Sequence, residues 1–113
     1  MGAPTAVITL EELIALGITK FVSLGATGGL QTTMRIGDIV VCDRAIRDEG
    51  TFHNYLPSAK CSQASPTLTA KLLAATRSNG IPAHTETSWT TDAPYRETLE
   101  ELTNTVPKTW PLA

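Results

Sequence analysis

The sequence predicts an α/β layered domain. Stretches with helical apolar spacing alternate with short runs rich in β-branched and aromatic residues, and glycine or proline marks the junctions. The expected order is helix, strand, strand, helix, strand, helix, with no internal repeat and no low-complexity segment.

The first helix is expected over residues 6–16. Thr5 offers a capping hydroxyl with Pro4 just before it. Val7, Leu10 and Ile14 recur at helical spacing with Leu13 beside them, and Glu11 and Glu12 take outward positions. Gly17 is expected to end the helix in the left-handed conformation. Residues 18–24 then read as a strand, on the strength of Phe21, Val22 and Leu24. Gly25-Ala26-Thr27-Gly28-Gly29 forces a tight, irregular turn. The unbroken apolar run Ile39-Val40-Val41-Cys42 suggests a strand buried on both faces, with Ala45–Arg47 extending it or starting another.

Residues 48–65 are polar and irregular, long for a loop in a small domain, and loops of that kind are often functional or shielded by a partner. Ser65-Pro66 is a cap followed by proline at the first helical position. Leu68, Leu72 and Ala75 form one face of that helix, and Gly80 stops it. Residues 82–89 read as a further strand, Asp92-Ala93-Pro94 as a turn and residues 96–102 as a short helix. The stretch Val106–Pro111, with two prolines and no period, reads as irregular.

Bulk properties exclude several classes. With 42% hydrophobic and 18% charged residues the chain is globular rather than disordered. At 113 residues it leaves much of its surface in water, so a partner subunit would help it. A net charge of -2 gives no electrostatic reason for nucleic-acid or anionic-membrane binding. No run is long enough to span a bilayer, and no basic region followed by an apolar stretch opens the chain. Cys42, in an apolar run, reads as a small buried hydrophobe. Together with Cys61 it reads as a reduced thiol of a cytoplasmic protein rather than part of a disulfide framework.

Two places carry candidate chemistry. The first is the glycine turn. Strand ends in open α/β sheets bind ligands, and Gly25, Gly28 and Gly29 allow close backbone approach with amides that can face an anion. Such a turn is most often only a turn, and Gly25-x-x-Gly28 is not a Walker or dinucleotide fingerprint. The second is Trp89–Thr98, which gathers hydroxyls, a carboxylate, an aromatic ring and a guanidinium at another strand end. Its plain alternative is that Asp92 caps a turn and Arg96 pairs with Glu100. His53 and His84 lack a metal-ligand pattern and read as surface or packing histidines. Arg47-Asp48-Glu49 reads most simply as a solvated charge cluster.

Taken in order, the motifs accumulate. They are Met1-Gly2-Ala3-Pro4-Thr5, the helix through Glu11-Glu12-Leu13, Phe21 to Leu30, Gly37-Asp38-Ile39-Val40, Arg47-Asp48-Glu49-Gly50-Thr51, Tyr55-Leu56-Pro57 and Trp89 to Thr98. Residues 1–102 resemble the nucleoside phosphorylase family, its uridine phosphorylase-like branch in particular, and residues 103–113 read as a divergent tail. The resemblance implies a partial phosphorylase-like layered fold with a mixed central sheet flanked by helices. It also implies assembly from dimers, and phosphorolysis of a nucleoside glycosidic bond with no metal or other cofactor. On that carry-over Thr27 and Gly28 lie against the nucleoside, while Tyr95 and Arg96 border the base pocket. Met1 and Gly2 match the family's Gly-Met-Gly motif without its first glycine.

The resemblance also exposes departures. Ser23 stands where the family usually bears a phosphate-gripping arginine, and Ala26 where it bears a phosphate-holding hydroxyl. An arginine gives phosphate two parallel charge-assisted bonds and serine one neutral hydroxyl, a loss of about 1.5–3 kcal/mol. Lys20 lies at an odd offset from Ser23 along a strand and so on the other face. The family's first strands and their phosphate ligands are expected before Met1, and its methionine-flanked acidic ribose motif after Leu102. The expectation is therefore a truncated homologue, inactive alone, that self-associates and holds a nucleobase or nucleoside weakly. The alternatives are an oligomeric enzyme or binder completed by neighbouring subunits, and a non-catalytic interaction module.

Overall fold

A computed structural model describes residues 2–105. Three helices, α1 (Ala3–Ala15), α2 (Pro66–Ser78) and α3 (Leu99–Thr105), accompany three strands, β1 (Ile39–Ile46), β2 (Cys61–Gln63) and β3 (Ala83–Trp89). The sheet is mixed, in the order β2-β1-β3, with β1 parallel to β3 and antiparallel to β2. The α/β class and the mixed sheet agree with expectation. The stretch Val106–Pro111 lies outside the described residues.

The two long helices end in the same way. Gly17 and Gly80 take φ of +89° and +71°, a conformation open to glycine at little cost. Their N–H groups bond to the carbonyls of Ile14 and Arg77, and the next residues, Ile18 and Ile81, reach back to Leu13 and Thr76. This is the Schellman arrangement, which satisfies carbonyls that a helix end leaves free. Ser65 caps α2 as expected, its Oγ accepting from the Leu68 N–H at 3.4 Å. Thr5 does not cap α1. The helix starts earlier, with Gly2 at the cap and Pro4 in the first turn, where its missing N–H costs nothing.

β1 carries the core. It is not buried on both faces. Among the described residues only Val41 and Ile46 are buried apolar residues, and Cys42 is exposed. Val41 and Ile46 are five residues apart, which in a regular strand would place them on opposite faces. The ladder with β3 skips Asp43, pairing Cys42 with Glu86 and Arg44 with Thr87. That one-residue bulge restores the phase, so Val41 opposite Thr85 and Ile46 opposite Trp89 share a face. The bulged Asp43 uses its carbonyl to accept the Ala64 N–H at 2.8 Å. Its carboxylate pairs with Arg44 Nε at 3.5 Å, too long to satisfy the covered Oδ1 as a hydrogen bond.

α2 packs on β1 and β3. Its inward residues are Leu68, Thr69, Leu73 and Thr76, while Leu72 and Ala75 are exposed. The face is thus rotated by about one residue from Leu68, Leu72 and Ala75. On α1, Val7 and Leu13 are half-buried but Leu10 and Ile14 are exposed.

Three further expectations need correction. Residues 18–24 form no strand. Ile18 is consumed by the α1 cap, and residues 19–24 make no backbone–backbone hydrogen bond among the described residues, so strand propensity goes unanswered for want of a neighbour. Residues 48–65 are not irregular throughout. They hold a 3-10 turn at Thr51–Asn54 and all of β2. The helix expected at 96–102 divides into a 3-10 turn at Pro94–Arg96 and α3.

Candidate functional site

Because β1 and β3 are parallel, their C-terminal ends meet at one edge of the sheet, the place where α/β sheets offer ligand sites. The segments that leave this edge are knitted together. The half-buried Trp89 donates its Nε1–H to Asp48 Oδ2 at 2.8 Å. Asp92 Oδ2 accepts the Gly50 N–H at 2.8 Å. Glu49 caps the 3-10 turn, its two oxygens accepting from Thr51 N at 2.7 Å and Phe52 N at 2.9 Å. Arg47 lies over the Phe52 ring at 4.2 Å and donates to the carbonyls of Pro57 at 2.7 Å and Leu56 at 3.2 Å.

Arg47-Asp48-Glu49 is therefore a folding device and not a solvated cluster. The signal was present in the sequence as a run of charge before Gly50, but the hydrogen-bond partners of Arg47 and Asp48 lie nine to 41 residues away. Asp92 does not cap its own turn, since Thr91 Oγ1 takes the Ala93 N–H instead. Among the described residues Arg96 makes no ion pair with Glu100.

This network has a chemical consequence. The amides of Gly50, Thr51 and Phe52 would have made an anion cradle, but carboxylates already occupy them. The amides of the glycine turn are different. Residues 25–29 make no backbone–backbone hydrogen bond among the described residues, and the one side-chain bond there runs from Thr27 Oγ1 to the Gly28 carbonyl at 3.4 Å. A Cβ placed on Gly25 or Gly28 would meet nothing within 4 Å, so the space beside them is open. Just beyond the turn, Gln31 Nε2 donates to Glu86 Oε2 at 3.0 Å, which ties this segment to β3.

The sequence candidates fall as follows. Ser23, Ala26, Thr27 and Gly28 lie exposed on the unpaired segment. Tyr95 and Arg96 are exposed in the 3-10 turn after β3, Tyr95 completely so. No hydrogen bond joins these two side chains to the glycine turn among the described residues. Two open hollows of about 380 Å³ each lie elsewhere, one over Asp43, Ala64 and Leu73 and one over Arg47, Leu56 and Cys61. Neither is lined by a sequence candidate. His84 sits 3.4 Å from Asp38, and His53 stacks on Phe52 with ring centroids 3.8 Å apart.

Comparison with known proteins gives these motifs a family. A family model described as the phosphorylase superfamily matches residues 1–111. A uridine phosphorylase of Thermococcus kodakarensis is 34% identical over 95 residues, covering 84% of this chain and 34% of the relative. One of Haemophilus influenzae is 30% identical over 95 residues, covering 84% and 38%. A guanosine phosphorylase of Halorubrum lacusprofundi is 32% identical over 100 residues, covering 88% and 42%. The chain thus spans about a third of the length of the first of these relatives. A match over nearly the whole chain identifies it as a member of the phosphorylase superfamily.

Proposed function

We infer that this chain holds a nucleobase or nucleoside weakly at the glycine turn, and does not carry out phosphorolysis alone. One observation carries the reading. Residues 25–29 make no backbone–backbone hydrogen bond among the described residues and the space beside Gly25 and Gly28 is open, whereas the amides of Gly50, Thr51 and Phe52 are already taken by Asp92 and Glu49. Thr27 and Gly28 supply backbone and hydroxyl groups for the base. Tyr95 offers a ring to stack on and Arg96 a donor.

Phosphate is the weak point of the site. Ser23 and Ala26 provide no cation and no second hydroxyl at the positions where the resemblance expects ligands. The oxyanion charge of an attacking phosphate would meet only neutral amides, and electrostatic stabilisation is the larger part of such catalysis. Residues 1–102 are taken as the phosphorylase-like region of a reduced-thiol, cytoplasmic protein that works as a dimer or larger. The exposed Leu24, Ile36 and Leu99 favour self-association. In the companion reading, neighbouring subunits complete the site.

The test is phosphate-dependent release of free base from uridine or inosine by the purified chain. No turnover is expected, and Ser23→Arg alone does not restore it, because Ala26 still lacks a hydroxyl. Robust phosphate-dependent release refutes the reading.

A further inference from the structure

We propose that Gln31 and Glu86 are a positioning pair for the glycine turn. The hydrogen bond between them holds Gly25–Gly29 where the turn meets a base, and breaking it weakens base binding while the rest of the chain stays folded. The proposal rests on the reading that the turn holds a base, and adds the residues that hold the turn.

A run of direct contacts carries it. Gln31 Nε2 donates to Glu86 Oε2 at 3.0 Å across 55 positions of sequence, and both residues are half-buried. Glu86 belongs to β3 and stands opposite Cys42 in the ladder with β1. The sheet therefore fixes Glu86, and Glu86 in turn fixes Gln31. A hydrogen bond to a charged acceptor is stronger than one between neutral groups.

The chemistry allows one arrangement. An ionised carboxylate only accepts, so the Gln31 amide must turn its NH2 group toward Glu86. That leaves Gln31 Oε1 for the Thr33 hydroxyl, which donates to it at 3.4 Å. The Gln31 carbonyl accepts the Met34 N–H at 3.1 Å. Gln31 thus joins β3 to the turn at residues 31–34 through both ends of its amide and through its backbone.

The run reaches the glycine turn at Gly29. A Cβ built on Gly29 would stand 3.3 Å from Met34 Cβ, closer than ordinary contact, so the backbone there lies directly against Met34. Glu86, Gln31, Met34 and Gly29 make a continuous path from the sheet to the turn, and Gly28 and Thr27 come next along the chain. Amides that are already held in place bind more tightly, because ordering a loop on binding subtracts from affinity. Gln31 and Glu86 act through the turn and do not touch the base.

The experiment is a reciprocal exchange, read by NMR on the full chain with uracil as the probe. Gln31→Glu sets two carboxylates face to face. Gln31→Glu combined with Glu86→Gln restores one donor and one acceptor in the opposite sense. Gln31→Glu is expected to raise the dissociation constant for uracil at least about fivefold, and the double variant to return it within about twofold of the unaltered chain. Without ligand, the amide order parameters of Thr27 and Gly28 fall in Gln31→Glu and recover in the double variant. Ser65→Ala, which lowers stability through α2, leaves both readouts unchanged. Should Gln31→Glu fail to fold, Gln31→Ala removes the donor without adding charge and is expected to show the same losses.

Unchanged uracil binding in Gln31→Glu, no recovery in the double variant, or an equal loss in Ser65→Ala would each overturn the proposal. If the unaltered chain binds no uracil, the base reading fails by itself. The ligand-free order at Thr27 and Gly28 then decides the pair, and unchanged order in Gln31→Glu overturns it.

Discussion

Arg47 is expected to act as the clamp of the segment that leaves β1. Its guanidinium donates to two carbonyls, at 2.7 Å to Pro57 and 3.2 Å to Leu56, and lies 4.2 Å from the Phe52 ring centroid. A bond to a charged donor contributes about 1.5–3 kcal/mol when shielded, and an exposed cation–π contact about 0.5–1 kcal/mol. Both carbonyl bonds here are solvent-exposed, so the sum is discounted to about 2 kcal/mol. The bonds hold a segment with little core of its own, so Arg47→Ala should open it locally rather than unfold the chain. Amide hydrogen exchange reads this directly. The N–H groups of Tyr55 and Leu56, both bonded to the Phe52 carbonyl, should lose about 30-fold in protection, while those in the middle of α2 should not change. Arg47→Lys should recover only a small part, because a lysine cannot reach two carbonyls as a planar fork. Unchanged exchange at Tyr55 and Leu56 in Arg47→Ala would refute the clamp.

Two further outcomes test the packing. Ile46→Ala should cost about 2–4 kcal/mol by denaturant titration, since Ile46 is buried, whereas Leu24→Ala in the monomeric state should cost under about 0.5 kcal/mol because Leu24 is exposed. Ser65→Ala should cost about 0.5–1 kcal/mol and reduce α2 helicity by circular dichroism, the low end of the capping range matching the 3.4 Å bond to Leu68 N.

The local signals were legible in the sequence wherever they needed no distant partner. Ser65-Pro66 started α2, and Gly17 and Gly80 stopped their helices by accepting positive φ. β3 was visible as a run of β-formers between Gly80 and the Asp92 turn. What depended on distant residues was not legible. The bulge at Asp43, which brings Val41 and Ile46 to one face, exists only in the register with β3. β2 is three residues long and is a strand only because β1 lies beside it. Residues 18–24 are the converse, a strand by propensity that meets no partner within the chain.

The candidate site divides in the same way. The glycine turn was evident from composition, and its placement beside β3 follows from the Gln31–Glu86 bond, which no spacing rule foretells. The charge run from Arg47 to Glu49 looked solvated because the partners of Arg47 and Asp48, in Leu56, Pro57 and Trp89, are remote in sequence. Tyr95 and Arg96 were chosen through resemblance, and in this structure they stand in solvent.

The account stands most directly on a paired titration of the purified chain with uracil and with uridine, by calorimetry or NMR. The proposed function assigns recognition of a flat base to the Gly25–Gly29 amides and the ring of Tyr95, and assigns no group to the sugar. Both ligands should therefore bind alike, with a dissociation constant of about 1 mM or weaker, equivalent to about -4 kcal/mol. Chemical-shift changes should centre on Thr27 and Gly28. Micromolar binding of uridine with no binding of uracil would contradict the account, because it would require a sugar site on this chain.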